Sequence, residues 1–324
     1  MRYLVTGGAG FIGSAVVLEL VRRGESVVVI DDLSAGKESN LAAVRNRIEF
    51  LRAGVTDRDA LERACHGADF AIHLAARTSV PRSVQAPLET NTTNVDGTLN
   101  LLVAARDARV RRVVYAASSS AYGETPTLPK VETMPAAPIS PYGVSKFAGE
   151  LYAQVFTRVY GLATVALRYF NVFGPRQDPG SPYSGVLARF MLALLDGTEP
   201  VIYGDGEQSR DFTYVDNVVD ATLRACHAAG ASGRVLNIAT GRRFTLNQAL
   251  GLLETITGRH TVARHEPERP GDIRHSQADI RLARELLGYE PSIDFEEGLR
   301  RTWQWYRSEY SAAGSRGEGH SATG

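Results

Sequence analysis

The chain has 324 residues, which is long enough for one large α/β domain or for two lobes with a substantial core. Its 36 Lys and Arg residues balance its 36 Asp and Glu residues, so bulk charge argues against nucleic-acid or anionic-membrane partners. The two cysteines, Cys65 and Cys226, match neither a disulfide framework nor a metal cluster, and we expect both to be buried in a reducing cytosol. The first residues lack a signal-peptide pattern and no apolar stretch reaches the roughly 20 residues of a membrane span, so a cytoplasmic location is expected.

Short apolar strands and amphipathic helices alternate from the first residue. Strands rich in Val and Ile are predicted at 3–6, 26–31, 70–74, 112–117, 164–169 and 235–239. Helices are predicted between them at 11–23, 57–65, 92–108 and 215–228. Near-continuous β-branched strands separated by helices indicate a parallel sheet covered on both faces, so we expect a Rossmann-like, doubly wound α/β fold.

A glycine-rich turn, Gly7-Gly-Ala-Gly10-Phe-Ile-Gly13, joins the first strand to the first helix. Its glycines permit a tight turn and a close approach of backbone to a pyrophosphate, which then lies at the positive end of the helix. Asp31 ends the second strand, where a carboxylate accepts hydrogen bonds from both adenosine ribose hydroxyls and repels a 2′-phosphate. The pattern therefore predicts a dinucleotide site that prefers NAD to NADP.

Tyr142 and Lys146 stand four residues apart in a predicted helix, so their side chains share one face. An ammonium beside a phenol favours the phenolate, so we expect Lys146 to lower the pKa of Tyr142 below its ordinary value of about 10. The pair is a candidate general base for redox chemistry. A lone Tyr-x-x-x-Lys spacing is common by chance, so this interpretation needs support from the rest of the chain.

The strand and helix pattern loosens at Gly174-Pro-Arg-Gln-Asp-Pro-Gly-Ser-Pro182, which a helix cannot cross. We expect a smaller α/β lobe to begin there and to interleave with the first. Residues 1–174 and about 212–240 are assigned to the NAD-binding domain, and about 175–211 and 241–311 to the substrate lobe. Residues 312–324 lack apolar anchors and are expected to be a disordered tail.

Further motifs follow in one order along the chain: His73-Leu-Ala-Ala76, Asn94-Val-Asp-Gly-Thr98, Ser118-Ser-Ser-Ala-Tyr-Gly123, Arg168-Tyr-Phe-Asn-Val-Phe-Gly-Pro-Arg176, Arg210-Asp211 and Arg269-Pro-Gly-Asp272. With the glycine turn, Asp31 and the Tyr142/Lys146 pair, they resemble the extended short-chain dehydrogenase/reductases, specifically the NAD-dependent nucleotide-sugar epimerases and dehydratases. The resemblance extends from Met1 to about Arg307. It implies that Tyr142 is the catalytic base and that Lys146 also binds the nicotinamide ribose.

The resemblance also implies a serine that hydrogen-bonds the reacting sugar hydroxyl. Counting back four residues from Tyr122 gives Ser118, whereas aligning the serine run allows Ser119. Together, the motifs and the resemblance place the cofactor at Gly7, Gly10, Phe11, Ile12, Gly13, Asp31, Asp32, Ser34, Gly36, Lys37, Val55, Leu74, Ala75, Ala76, Asn94, Tyr142, Lys146 and Phe170. They place the substrate at Thr78, Ser79, Ser120, Tyr142, Asn171, Arg176, Val186, Leu187, Tyr203, Arg210, Arg269, Asp272 and Ser276.

One departure from the family pattern concerns the adenine. Many relatives carry an Asp after the third strand, whereas this chain reads Ala53-Gly54-Val55. Because Gly54 has no side chain, only the backbone of Val55 could hold the adenine amine. We expect the nearby Asp57 to cap the next helix instead.

The serine run limits the reaction that the resemblance implies. Family members that eliminate water or carbon dioxide carry a Glu two residues before the loop tyrosine, where this chain has Ser120. C4 epimerisation remains: Tyr142 takes the C4 hydroxyl proton while hydride passes to NAD, and the transient 4-keto sugar then regains the hydride on its opposite face. The alternatives are a dehydratase or decarboxylase of the same family, and a non-catalytic NAD-sensing regulator.

The sequence favours one nucleotide but leaves several sugars open. Resemblance over residues 128–216 favours a UDP-sugar. Ser276 leaves room for an N-acetyl group, whereas Thr78, Ser79 and Arg176 could meet a C6 carboxylate, so UDP-glucuronate, UDP-N-acetylglucosamine and UDP-glucose all stay open. The resemblance further implies a homodimer, formed through the helices near Thr92 and Gly143, and no metal.

Overall fold

The computed structural model describes residues 1–178, 185–268 and 273–317. Its main sheet is built from β1 (Arg2–Thr6), β2 (Ser26–Ile30), β3 (Glu49–Leu51), β4 (Phe70–His73), β5 (Arg112–Ser118), β6 (Ala163–Tyr169) and β11 (Arg234–Ile238). These strands lie in the order β11-β6-β5-β4-β1-β2-β3, and every pairing between them is parallel. All strands run in one direction, but the order in which successive strands are added reverses between β1 and β4. Ligands bind at this switch point in doubly wound folds. The predicted Rossmann-like architecture is confirmed.

Helices cover both faces of this sheet. The helices of this part of the chain are α1 (Phe11–Arg22), α2 (Arg58–Cys65), α3 (Val80–Gln85), α4 (Pro87–Asn91), α5 (Gly97–Asp107), α6 (Pro141–Tyr160) and α8 (Val215–His227). Alternate strand residues point to opposite faces, so Val27 and Val29 pack with α1 and α8, while Val28 and Ile30 pack with α2 and α5. This alternation produces two cores, one on each side of the sheet.

A second group of elements follows β6. It contains α7 (Val186–Asp196), α9 (Leu246–Thr257), α10 (Arg281–Leu287) and α11 (Phe295–Gly317), with the short strands β7 (Val172–Phe173), β8 (Val201–Tyr203), β9 (Ser209–Arg210), β10 (Thr213–Tyr214), β12 (Phe244–Thr245) and β13 (Arg264–Glu266). The short strands pair two by two as β10 with β7, β12 with β9, and β13 with β8. Stacked rings join these pairs: the Phe295 ring lies 5.1 Å from Phe212 and 4.4 Å from Phe244.

Several local predictions have a direct outcome in the structure. Asp57 caps α2 by accepting a hydrogen bond from the Ala60 backbone nitrogen at 2.9 Å, as predicted, and Cys65 and Cys226 are free and buried. The helix predicted at 92–108 begins instead with a π-helical turn at Thr92–Asp96. Helix α11 continues to Gly317, and residues 318–324 of the expected tail lie outside the described residues. Among the described residues, no helix combines the length and apolar character that crossing a membrane requires.

Candidate active site

The glycine-rich turn after β1 is packed too tightly to accept side chains. A Cβ on Gly7 would lie 2.7 Å from the Ala75 backbone nitrogen, and one on Gly13 would lie 2.0 Å from the Gly7 carbonyl oxygen. Gly7 also has a φ of 69°, in the left-handed region that favours glycine. The turn therefore lies directly against the loop after β4, at the carboxyl edge of the sheet.

Helix α1 begins at this turn without a side-chain cap, because Gly10 occupies its N-cap position. The first N–H groups of a helix have no partner within the helix, and the helix dipole places partial positive charge there. Phe11 and Ile12, both half-buried, form the start of α1. This arrangement suits a phosphate group.

Asp31 directly follows β2, and its carboxylate lies beside the glycine turn. Its Oδ2 accepts a hydrogen bond from the Ala9 backbone nitrogen at 2.9 Å, and its Oδ1 accepts one from the Leu33 nitrogen at 2.8 Å. Burial raises the pKa of Asp31, and the two backbone donors oppose that rise. The carboxylate is thus fixed at the position where the sequence places the adenosine ribose.

The loop after Asp31 curls back over the glycine turn. Asp32 accepts a hydrogen bond from the Ser34 backbone nitrogen at 2.9 Å. A Cβ on Gly36 would lie 2.8 Å from the carbonyl carbon of Ala9, so this loop requires a glycine at its closest approach. The Lys37 ammonium lies 3.0 Å from a carboxylate oxygen of Asp178, in the segment that leaves the main sheet.

Asn94 fixes the loop that carries the predicted residues Leu74, Ala75 and Ala76. It is buried in the π-helical turn, where its Oδ1 accepts from the Arg77 backbone nitrogen at 2.7 Å and its Nδ2 donates to the Arg77 carbonyl at 3.0 Å. The same Nδ2 donates to Ser145 Oγ at 2.9 Å. Asn94 therefore shapes the site through backbone, because its amide is already satisfied by the protein. Val55 and Phe170, also predicted at the cofactor, are buried.

These observations fit a bound dinucleotide. The glycine turn leaves no volume for side chains, the start of α1 offers unpaired N–H groups, and Asp31 stands at the end of the neighbouring strand. A pyrophosphate would accept hydrogen bonds from the N–H groups at the start of α1, and a ribose would donate hydrogen bonds to Asp31. In the described ranges, no group of three or more His, Cys, Asp or Glu side chains could hold a metal ion.

The candidate catalytic groups meet where β5 and α6 approach each other. Ser140 caps α6 by accepting from the Gly143 nitrogen at 3.1 Å, and Tyr142 and Lys146 lie in the first turns of the helix. The hydroxyl of Ser118, the last residue of β5, hydrogen-bonds the Tyr142 phenol. The Lys146 ammonium lies 4.5 Å from the ring centroid of Tyr115.

The three hydroxyls of the serine turn have different surroundings. Ser118 accepts a hydrogen bond from the Ser120 backbone nitrogen and donates to Ser120 Oγ, both at 3.1 Å. Ser119 opens the 3₁₀ turn Ser119–Tyr122, in which it is half-exposed. Of the two candidate serines, Ser118 is thus the one whose hydroxyl contacts the phenol.

The expected lowering of the Tyr142 pKa is wrong for the free protein. Burial raises the pKa of Tyr142, and its side-chain hydrogen bond with Ser118 opposes this only in part. Burial also lowers the pKa of Lys146 to about 7, because the apolar surroundings penalise its charge. The helical spacing puts the two side chains on one face of α6, but burial is a property of the tertiary structure that spacing cannot reveal.

A cavity between β7, α7, β8 and β9 is lined by five of the thirteen predicted substrate residues. Asn171, Val186, Leu187, Tyr203 and Arg210 all line it. The remaining lining residues were not predicted: Val172, Phe173, Gln177, Gly185, Arg189, Val201, Gln208, Phe212 and Leu246. One of these had a usable signal, since Arg189 follows Val186 by about one helical turn on α7.

The other predicted substrate residues are more dispersed. Asn171 and Arg176 both have positive φ, 34° and 69°, which marks backbone strain in the segment after β6. Ser276 is buried, and its backbone nitrogen donates to the Ser209 carbonyl at 3.0 Å, next to Arg210. Ser79 caps α3 by accepting from the Arg82 nitrogen, and Thr78 precedes it exposed. Arg269 and Asp272 lie outside the described residues.

Asp211 joins the segments that surround Arg210. Its carboxylate accepts hydrogen bonds from the backbone nitrogens of Thr240, Gly241 and Ala278 at 2.9, 3.0 and 3.2 Å, and from the Thr240 hydroxyl at 2.7 Å. Its own carbonyl accepts from Asn171 Nδ2 at 3.2 Å. One buried carboxylate thereby holds β9 against the loops on either side.

The fold and the site define a class of dinucleotide-dependent proteins that act on a second, separately bound ligand. A family model described as the NAD dependent epimerase/dehydratase family matches residues 3–239, and the chain belongs to this family. It is 41% identical to a UDP-glucose 4-epimerase of Mycolicibacterium smegmatis over 313 residues, which cover 95% of this chain and 99% of the relative.

Solved structures agree in fold and length. A UDP-N-acetylglucosamine 4-epimerase from Methanobrevibacter ruminantium, in complex with UDP-N-acetylmuramic acid, superimposes with a TM-score of 0.92 at 41% identity, over 95% of this chain and 98% of that one. A UDP-glucose 4-epimerase from Thermotoga maritima, with UDP-glucose, superimposes with a TM-score of 0.92 at 42% identity, over 96% and 100%.

Proposed function

We propose that the chain catalyses the NAD-dependent C4 epimerisation of a UDP-sugar through a transient 4-keto sugar. The observation that carries this proposal is the meeting of Tyr142, Lys146 and Ser118 beside a serine turn that offers no carboxylate. Ser120 occupies the position where an eliminating relative would need an acid. Relatives named as 4-epimerases, matched over nearly the whole chain, support the same reaction.

Each catalytic side chain has a distinct task in this reaction. Ser118 donates a hydrogen bond to the substrate C4 oxygen and orients it toward Tyr142. The phenolate form of Tyr142 takes the C4 hydroxyl proton and later returns it. Bound NAD supplies the reversible acceptor for the hydride at C4. Lys146 holds a positive charge near the phenolate, which stabilises the developing oxyanion.

The pKa shifts explain why the base needs its partner. A lone phenolate at Tyr142 is penalised by burial, and so is a lone ammonium at Lys146. When Tyr142 loses its proton while Lys146 keeps one, the pair carries no net charge and each charge offsets the burial cost of the other. The two residues therefore work as a coupled pair.

The UDP moiety is assigned to the cavity of the proposed substrate lobe, at about 175–211 and 241–311. Arg210 there can bind phosphate oxygens with its planar fork, and Tyr203 offers an aromatic face. We propose UDP-glucose and UDP-N-acetylglucosamine as substrates, because Ser276 is small and the relatives at 41–42% identity carry these names. UDP-glucuronate is the third candidate.

The decisive experiment incubates the purified protein separately with UDP-glucose, UDP-N-acetylglucosamine and UDP-glucuronate. Proton NMR of the sugar ring reports the C4 epimer in each case. We expect UDP-galactose or UDP-N-acetylgalactosamine to accumulate to equilibrium, with no 4-keto-6-deoxy or decarboxylated product. Failure to form a C4 epimer from all three sugars contradicts the proposal, and a dehydrated product favours the alternative.

We further propose that the protein forms a homodimer in the cytosol through α6. Large apolar side chains are exposed along one stripe of this helix, at Val144, Leu151, Tyr152, Val155 and Val159. Their spacing places them on one face, and an exposed apolar face of this length favours a helical partner. A symmetric contact between two copies of α6 would cover it.

A further inference from the structure

A buried ion pair lies on the same face of α6 as the catalytic residues. Glu150 follows Lys146 by four residues, so the two side chains are neighbours on the helix. The Glu150 carboxylate accepts two hydrogen bonds from Arg168 on β6, from Nε at 2.8 Å and from Nη2 at 2.6 Å. Glu150 is 2% exposed and Arg168 is 3% exposed. A bidentate pair of this kind fixes orientation as well as charge.

The same guanidinium also contacts the serine turn. Its central carbon lies 4.4 Å from the ring centroid of Tyr122, the last residue of the turn that follows Ser118. The Tyr122 hydroxyl donates to Asn237 Oδ1 on β11 at 2.7 Å. Arg168 itself pairs in register with Ala117 on β5 and with Asn237. One side chain therefore connects the helix that carries the base with the turn that carries the serine.

We propose that Arg168 is a positioning residue which, through Glu150 and Tyr122, sets the distance between the Tyr142 phenol and the Ser118 hydroxyl. Replacing a buried ion pair by apolar residues of similar volume is often neutral for stability, so stability alone does not account for this pair. A need for fixed geometry does account for the ion pair, since displacing reacting groups by about 1 Å costs on the order of 100-fold in rate. The inference rests on the proposed epimerase reaction.

The ring of Tyr122 provides the first test. Tyr122→Leu removes the surface on which Arg168 stacks, whereas Tyr122→Phe keeps the ring and loses only the hydroxyl. Tyr3→Leu is the matched control, because Tyr3 is equally buried at the amino end of the sheet and its hydroxyl also has a partner, His227, at 3.0 Å. We expect kcat to fall about 100-fold in Tyr122→Leu and less than threefold in Tyr122→Phe and Tyr3→Leu.

Substrate affinity separates positioning from a general loss of structure. Because the UDP cavity lies in the other lobe, KM for the UDP-sugar should change less than twofold in all three variants. Thermal melting is measured on each, and Tyr122→Leu and Tyr3→Leu should lose similar stability. Equal kcat values in these two variants overturn the proposal. So does a Tyr122→Leu variant in which KM rises while kcat is unchanged.

A double variant tests the ion pair itself without leaving an unpaired buried charge. Glu150→Leu combined with Arg168→Met should fold, keep KM within twofold and lose about 100-fold in kcat. Wild-type kcat in the double variant overturns the proposal even if Tyr122→Leu does not fold. A wild-type protein that epimerises none of the UDP-sugars contradicts the proposed function instead, so the two failures are distinguishable.

Discussion

At the scale of single residues, burial decides the chemistry of the site more than sequence spacing does. Tyr142 and Lys146 each shift away from the charged form, Tyr142 by a raised pKa and Lys146 by a pKa lowered to about 7. Burial therefore disfavours either charge alone, whereas a neutral ion pair of the two side chains offsets part of that cost.

Replacing the phenol provides the test of Tyr142. Tyr142→Phe should lower kcat by about 100- to 10,000-fold, the range expected for loss of a general base, while the fold and the bound NAD are retained. Cofactor content is measured by absorbance after denaturation, and turnover by NMR of the UDP-sugar. Tyr160→Phe, an exposed tyrosine at the end of the same helix, serves as the control. Turnover of Tyr142→Phe at the rate of this control would exclude Tyr142 as the base.

At the scale of elements, the glycine turn joins β1, α1 and the loop after β4 by contacts between backbones. Gly7 meets Ala75, Gly13 meets Gly7 and Gly36 meets Ala9, each closer than a Cβ permits. These glycines cannot be replaced without displacing their neighbours. Gly251 in α9 differs, because an added Cβ there would meet nothing within 4 Å.

A pair of glycine-to-alanine variants separates these two situations. Gly13→Ala should lower the free energy of unfolding by about 1–3 kcal/mol through overpacking and should abolish NAD binding. Gly251→Ala should raise the free energy of unfolding by about 0.5–1 kcal/mol, because alanine favours the helix interior, and should leave NAD binding unchanged. Urea denaturation and cofactor titration measure both effects. Normal cofactor affinity in Gly13→Ala would contradict the assignment of the turn.

At the scale of the whole molecule, the sequence predicts what depends on local pattern. The parallel doubly wound sheet, the glycine turn and the cap at Asp57 all follow from periodicity and residue type. What it misses depends on distant segments: Phe212 lines the cavity beside residues of α7 and β8 that are remote in sequence, and the Tyr142 pKa depends on burial in the folded chain. The π-helical turn at Thr92–Asp96 was missed because its sequence also suits an ordinary helix.

The exposed stripe of α6 predicts the state of assembly. Val155 lies in the middle of this stripe and is 44% exposed, so Val155→Glu should place two like charges across a symmetric contact and convert the dimer to a monomer. Sedimentation velocity measures the mass. Val262→Glu, at a position that is 80% exposed and outside α6, should remain dimeric. A wild-type protein that sediments as a monomer would remove the basis for the dimer proposal.

A buried histidine couples the stability of the whole molecule to pH. His73 at the end of β4 is 1% exposed, with Nδ1 2.7 Å from Thr6 Oγ1 and Nε2 2.9 Å from Thr98 Oγ1. Burial, with a smaller contribution from the charge of Lys146, lowers its pKa to about 3. The ring therefore stays neutral where an unfolded chain would protonate it, at a pKa of about 6.5.

The sign of the effect follows from this difference. Between about pH 6.5 and pH 3 the unfolded chain binds a proton that the folded chain does not, so the stabilisation present above pH 6.5 is lost as the pH falls, by up to about 1.4 kcal/mol per pH unit. His73→Gln should be less stable at pH 7 but should show a shallower decline between pH 6 and pH 4. Urea denaturation at several pH values measures both slopes, with His66→Gln, an exposed histidine, as the control. Parallel slopes for wild type and His73→Gln would show that protonation of His73 does not drive acid unfolding.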